Sequence, residues 1–172
     1  MNAHIKLYNI RGLAICFALI IAVMLSCYFM FHNPYKDLHT QIIATSDMIR
    51  SYYRDQPGYW KLSTEFAKEN GLIKIDLNQY KDYELAIGSG ENGDIIMPGE
   101  MSFNIVLKKL NKSACIGLSE MPVSQDEQLG LQTITINDTV FAWGGEHALP
   151  IGKYKTREIC KHADNTVIWS FH

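Results

Sequence analysis

From Leu13 to Phe31 the chain runs nineteen residues without a charge. That is long enough to cross a bilayer as one helix, which needs roughly 20 mostly apolar residues. The flanks are unequal: His4, Lys6 and Arg11 precede the run, and Lys36 and Asp37 follow it. The positive charge on the leading side predicts a short cytoplasmic N-terminus and an exported C-terminal body. A secretory signal peptide would have a shorter apolar region and end in small residues. This run ends in Tyr28-Phe29-Met30-Phe31, an aromatic border that suits a membrane interface better.

Apolar positions then recur at helical spacing. Leu38, Ile42, Thr45, Ile49 and Tyr52 step by fours and threes, while Lys36, Gln41, Asp47 and Arg50 occupy the other face. The simplest reading is one long helix over 13–54. Its half at 13–31 lies in the membrane, its second half lies on the exported body, and Pro34 kinks it. Asp55-Gln56-Pro57-Gly58 ends it. A short helix is predicted at Ser63–Asn70, with Gly71 as a left-handed cap. Asp76 to Gly99 is loop-rich, with a short strand at Glu84–Ile87.

Beyond that loop the period changes to two. Met101, Phe103, Ile105 and Leu107 alternate with polar residues, interrupted only by Val106, which reads as a half-buried strand. Helices are predicted at Ser113–Met121 and Tyr154–His162. Strands are predicted at Leu131–Ile136, Thr139–Trp143 and Thr166–Phe171, the first two joined by an Asn137-Asp138 turn. The expected fold class is α+β, a long N-terminal helix packed against an antiparallel sheet.

Length and charge narrow the picture. Of 172 residues, those over 55–172 suffice for one exported globular domain. A net charge of −2 gives no basic patch of the kind nucleic-acid binding needs. Cys16 and Cys27 lie in the apolar run, where they read as small packing side chains. Cys115 and Cys160 lie in the exported body, and an oxidising compartment favours joining them. Such a bridge would close a loop of about 45 residues. Within the apolar run, Ala14, Ala18, Ala22 and Ser26 recur every four residues. They form a small-residue face over which helices can pack closely, although alanine is common in any membrane helix.

Taken together these features resemble the type IV pilins, specifically the type IVb group of bundle-forming and conjugative-plasmid pilins. A short basic leader ends in Gly12, and an apolar helix continues into an amphipathic one. The C-terminal half carries Ser102-Phe103-Asn104-Ile105-Val106, then Cys115-Ile116-Gly117-Leu118 and Thr133-Ile134-Thr135-Ile136-Asn137. A helix with Cys160 and the strand Asn165-Thr166-Val167-Ile168-Trp169-Ser170-Phe171 follow. The resemblance implies that residues 1–12 are a leader, cut between Gly12 and Leu13 by a prepilin peptidase. It implies a structural subunit with no catalytic residues, metal or other cofactor. The subunit would be held in the bacterial inner membrane and assembled through an inner-membrane platform with other pilins into a surface fibre for adhesion, aggregation or conjugation. One position departs from the pattern. Pilins usually carry glutamate as the fifth mature residue, where this chain has Phe17. That favours a minor subunit over a major one, and it keeps open an uncleaved, single-pass periplasmic binding or accessory protein.

Other chemistries find little footing. Gly88-Ser89-Gly90-Glu91-Asn92-Gly93 matches G-x-G-x-x-G, but Asp94-Ile95-Ile96-Met97-Pro98-Gly99 offers no helix to receive a pyrophosphate, so it reads as a loop. His147, Cys160, His162 and His172 match no zinc spacing. No G-x-S-x-G is present. Asn111-Lys112-Ser113 and Asn137-Asp138-Thr139 fit the glycosylation acceptor pattern. Trp143-Gly144-Gly145 reads as an aromatic residue before a turn.

Overall fold

A computed structural model describes residues 15–24, 35–89, 101–121 and 130–172. The leader 1–12, the Gly12–Leu13 junction, Ala14, Ser26, Cys27 and the kink residue Pro34 lie outside the described residues. The chain divides into two units, Met1–Pro34 and Tyr35–His172. In the first, residues 15–24 form helix α1, with Cys16, Phe17, Ala18 and Ala22 all exposed. Among the described residues no helix is long and apolar enough to cross a membrane.

The second unit begins with helix α2, Lys36–Tyr52. Its buried residues include Leu38, Ile42, Thr45 and Ile49, as the stripe predicts. The last position of the stripe differs. Tyr53, the residue just past the end of α2, is buried and Tyr52 is 43% exposed. Tyr53 then donates its hydroxyl to the Trp60 carbonyl at 2.7 Å. An extended segment runs beside α2. The Lys74 amide donates to Thr45 Oγ1 at 2.9 Å and the Asp76 amide to Gln41 Oε1 at 2.7 Å. Four residues of helix rise about 6 Å, much as two extended residues do, so the two spacings match.

Helix α3, Thr64–Glu69, is capped at both ends. Ser63 Oγ accepts from the Phe66 amide at 3.1 Å. At the other end Gly71 has φ +67°. The Gly71 amide reaches the Lys68 carbonyl, and the Leu72 amide reaches the Ala67 carbonyl at 2.9 Å. That pair of bonds is the Schellman cap, and it needs a residue at ease in the left-handed region.

Five strands form one antiparallel sheet in the order β1-β2-β5-β3-β4. They are β1 Glu84–Ser89, β2 Phe103–Leu110, β3 Leu131–Ile136, β4 Thr139–Ala142 and β5 Asn165–Phe171. The last strand in sequence is thus the middle strand in space. β5 shows clean alternation, with Asn165, Val167, Trp169 and Phe171 buried. β2 does not. Phe103, Ile105 and Leu107 are buried as expected, but Asn104 and Val106 on its other face are buried too. The interruption that Val106 makes in the polar–apolar pattern therefore marks a strand covered on both sides. Near its end β2 bulges: Leu107 faces Val167 while Leu110 faces Asn165, and Lys109 takes φ +59°.

The α2 residues Leu38, Ile42, Ile49 and Tyr53 share one hydrophobic core with Phe103, Ile105, Leu107, Trp169 and Phe171. The first edge of the sheet is closed, since Ser63 bridges Gly88 and the Ile87 amide donates to Thr64 Oγ1 at 2.8 Å. Gly88 and Ser89 of the glycine-rich motif accordingly belong to β1, paired with Asn104 and Phe103, rather than to a loop. Residues 90–93 of that motif are outside the described residues.

Candidate functional site: the disulfide-tied C-terminal region

Two short helices lie between the strands of the C-terminal half. α4, Lys112–Ser119, starts at Asn111, whose Oδ1 accepts from the Ala114 amide at 2.9 Å. α5 covers Lys153–Ile159. Cys115 in α4 and Cys160 at the end of α5 form a disulfide with Cα atoms 5.8 Å apart, inside the normal range for such a bond. Both cysteines are fully buried. The crosslink spans 45 residues of sequence, so it ties the beginning of the C-terminal half to its end. Cys160 is occupied by the bridge and is not available as a metal ligand. Among the described residues no group of His, Cys, Asp and Glu gathers as an ion site would require.

A second tie, made of two asparagines, sits beside the disulfide. Asn137 has φ +52° in the turn between β3 and β4, a conformation asparagine tolerates better than most residues. Its Oδ1 accepts from the Thr166 amide at 3.0 Å, and its Nδ2 donates to Asn165 Oδ1 at 3.2 Å. Asn165 is 1% exposed. Its Nδ2 donates to the Leu110 carbonyl at 3.0 Å and the His162 carbonyl at 2.8 Å. One buried amide thereby joins the end of β2, the loop after α5, the start of β5 and the β3–β4 turn. The two asparagines stand out in sequence only as residues at strand ends. Their meeting depends on strand order.

The two glycosylation-pattern asparagines both take part in local hydrogen bonds. Asn111 caps α4 and Asn137 is held in the asparagine pair, so each side-chain amide already has a structural use. Trp143 is pinned as well, its Nε1 donating to the Leu131 carbonyl at 2.9 Å. Among the described residues of this region, the outer side of α5 is open to contact. Lys153, Tyr154, Arg157 and Lys161 are exposed there, Tyr154 to 85%. Lys155 pairs with Glu158 at 3.2 Å. Of the other histidines, His147 lies against Phe141, with ring centroids 5.5 Å apart, and His162 is exposed on the loop after α5. The disulfide, the asparagine pair and the helix caps make a stiff, covalently closed surface suited to non-covalent contact.

The small-residue face is only partly described, by Ala18 and Ala22 in α1. No family description matches the sequence, and no curated protein sequence does. A solved structure does match. The crystal structure of TcpA, a type IV pilin from Vibrio cholerae El Tor biotype, is similar to this chain with a TM-score of 0.51 at 13% identity. The match covers 78% of this chain and 98% of that one. This chain has a type IV pilin-like fold. At that identity the likeness speaks for architecture alone, that of α2 laid on an antiparallel sheet.

Proposed function

We propose that this chain is a structural, non-enzymatic subunit of a type IV pilus of the type IVb group. The observation that carries the reading is the pilin-like fold, found in a chain whose first unit contains the uncharged stretch Leu13–Phe31. In this reading a prepilin peptidase removes residues 1–12 at Gly12–Leu13. Leu13–Phe31 holds the subunit in the bacterial inner membrane with its N-terminus in the cytoplasm. An inner-membrane platform then transfers it into an extracellular fibre of pilin subunits that serves adhesion, aggregation or conjugation. Helix tails and lipid tails are similarly apolar, so close packing over Ala14, Ala18, Ala22 and Ser26 is what would favour the fibre over the bilayer.

Phe17 favours a second reading. An ionised carboxylate in a hydrocarbon core is costly and is kept where it has a partner. A chain without one at this position is either a minor subunit, for which no neighbouring amine needs pairing, or an uncleaved single-pass periplasmic accessory protein. Mass and N-terminal sequence of the protein from its own cells separate these. A chain beginning at Leu13 and present in sheared fibres is the expected result. A chain beginning at Met1 and confined to the membrane fraction overturns the pilus reading.

A further inference from the structure

The extended segment beside α2 runs back toward the start of that helix. Lys74 is held at Thr45, and Asp76 is held one helical turn earlier at Gln41. The segment thereby delivers residues 77–83 to Tyr35. Two successive turns follow, the Tyr80 amide donating to the Leu77 carbonyl at 2.8 Å and the Tyr83 amide to the Tyr80 carbonyl at 2.9 Å. In such turns residues three apart stand over one another, and the rings of Tyr80 and Tyr83 stack with centroids 5.3 Å apart. Tyr80 also lies 6.1 Å from the ring of Tyr35, and Tyr83 Oη accepts from Asn111 Nδ2 at 3.3 Å. Tyr80 and Tyr83 are half-buried, while Lys36, Lys81 and Lys112, each next in sequence to a member of this cluster, are exposed.

We infer that this end of the second unit rests on the headgroup layer of a lipid bilayer, with Tyr80 and Tyr83 as its anchors. The length of chain argues for that occupant. Three residues separate Phe31, the last of the uncharged run, from Tyr35, so the two lie within about 14 Å of each other by any path. Tyrosine is enriched at membrane interfaces, where its ring meets the acyl boundary and its hydroxyl the headgroups, and lysine stems lie along the same boundary with their charge in water. Burial pushes the Tyr83 pKa up to about 12, so its hydroxyl stays neutral. Charge does not select the occupant: Asp37 follows Lys36, Asp82 follows Lys81, and Lys109 pairs with Glu84 at 2.5 Å. The contact is therefore an aromatic one and should need neither anionic lipid nor low salt. Tyr52 and Trp60 expose aromatic surface too, but at the far end of α2, about 24 Å along the helix, where no such tether brings a surface to them.

The inference rests on the reading of Leu13–Phe31 as a membrane span, and it applies equally to a pilus subunit before assembly and to an uncleaved accessory protein. The test places the full chain in phosphatidylcholine nanodiscs, a single chain per disc, and in amphipol without lipid. Hydrogen exchange is followed by mass spectrometry. Peptides covering 77–84 and 108–114 should exchange roughly fivefold or more slowly in the nanodisc, in low and in high salt, while the α5 peptide 153–162 is unchanged. Tyr80→Ser should abolish the protection at 108–114, a peptide that does not contain it, and leave exchange in amphipol as in the parent. A chain that does not insert into the disc overturns the membrane reading and this inference with it. Insertion with equal exchange in disc and amphipol, or with α5 slowed as much as 77–84, overturns the anchor alone. Protection that disappears in high salt or survives Tyr80→Ser overturns the assignment to the tyrosines.

Discussion

The ring of Tyr35 occupies the space that a side chain at Gly117 would need. A Cβ built on Gly117 would lie only 2.9 Å from Tyr35 Cε2 and closer still to Cδ2. Tyr35 precedes the first turn of α2 and Gly117 is in the middle of α4, so their contact sets how near the two helices come. In sequence Gly117 is merely a poor helix former inside Cys115-Ile116-Gly117-Leu118. The structure shows what the missing side chain permits.

Gly117→Ala should for this reason destabilise the protein although alanine is the better helix former. The helix gain is about 1 kcal/mol, and forced overpacking costs about 1–3 kcal/mol. Chemical denaturation should show a net loss. Adding Tyr35→Ala should make the alanine at 117 neutral or stabilising relative to Tyr35→Ala alone. A Gly117→Ala protein more stable than the parent would mean that the ring yields freely.

His39 should make stability sensitive to mild acid. It is 3% exposed on the buried side of α2, and burial lowers its pKa from the usual histidine value, opposed by the Leu118 and Gly117 backbone. A folded-state pKa below the unfolded one means that the native protein favours neutral His39. Its contribution is fully present above the unfolded value near 6.5 and is lost as pH falls through the folded value, by at most about 1.4 kcal/mol per pH unit. Unfolding midpoints measured from pH 7.5 down to 5 should fall, and His39→Leu should flatten that part of the profile. An equal slope in the variant would assign the effect to other groups.

Removing the Asn165 amide should be among the more costly polar changes. Asn165→Ala removes the donor to the Leu110 and His162 carbonyls and leaves Asn137 Nδ2 with only the Ile159 carbonyl at 3.4 Å. An unsatisfied buried group costs about 1–3 kcal/mol. Asn165→Asp keeps the shape and loses the donors, so it should be destabilised as well, and more at neutral than at acidic pH, where protonation restores one donor. Denaturation curves for both variants at pH 5 and 7 would check the sign.

The Cys115–Cys160 bridge closes a 45-residue separation, for which the loop-entropy relation gives up to about 4 kcal/mol. Reduction, or the double change to alanine, should lower the denaturation midpoint accordingly. Thiol labelling of the denatured chain should find Cys115 and Cys160 reactive only after reduction. Full labelling without reduction would show that the bridge does not form.

Much of the fold is written in local pattern. The apolar stripe of α2 from Leu38 to Ile49, the Ser63 and Gly71 caps of α3, and β3 from Leu131 to Ile136 are all legible from neighbouring residues. A helical face, a left-handed cap and a strand alternation each depend on positions a few residues apart. Cys115 and Cys160 could likewise be paired from the expectation of an oxidising compartment, since the C-terminal body holds no other cysteine. The choice of Tyr53 over Tyr52 and the cover over both faces of β2 were less legible, because each is decided by what lies opposite.

By itself, then, the sequence determined the kinds of element, nearly all of their positions and the α+β class. Only the tertiary structure decided that β5 stands between β2 and β3, that Asn165 meets Asn137 across the chain, that Tyr35 rests on Gly117, and that Tyr80 and Tyr83 stack beside Tyr35. The division has a physical cause. Backbone conformation follows from side chains within a turn or a pleat, whereas strand order and the meeting of distant residues follow from burying one shared core. That burial is a property of the whole chain and leaves no local mark at the residues it brings together.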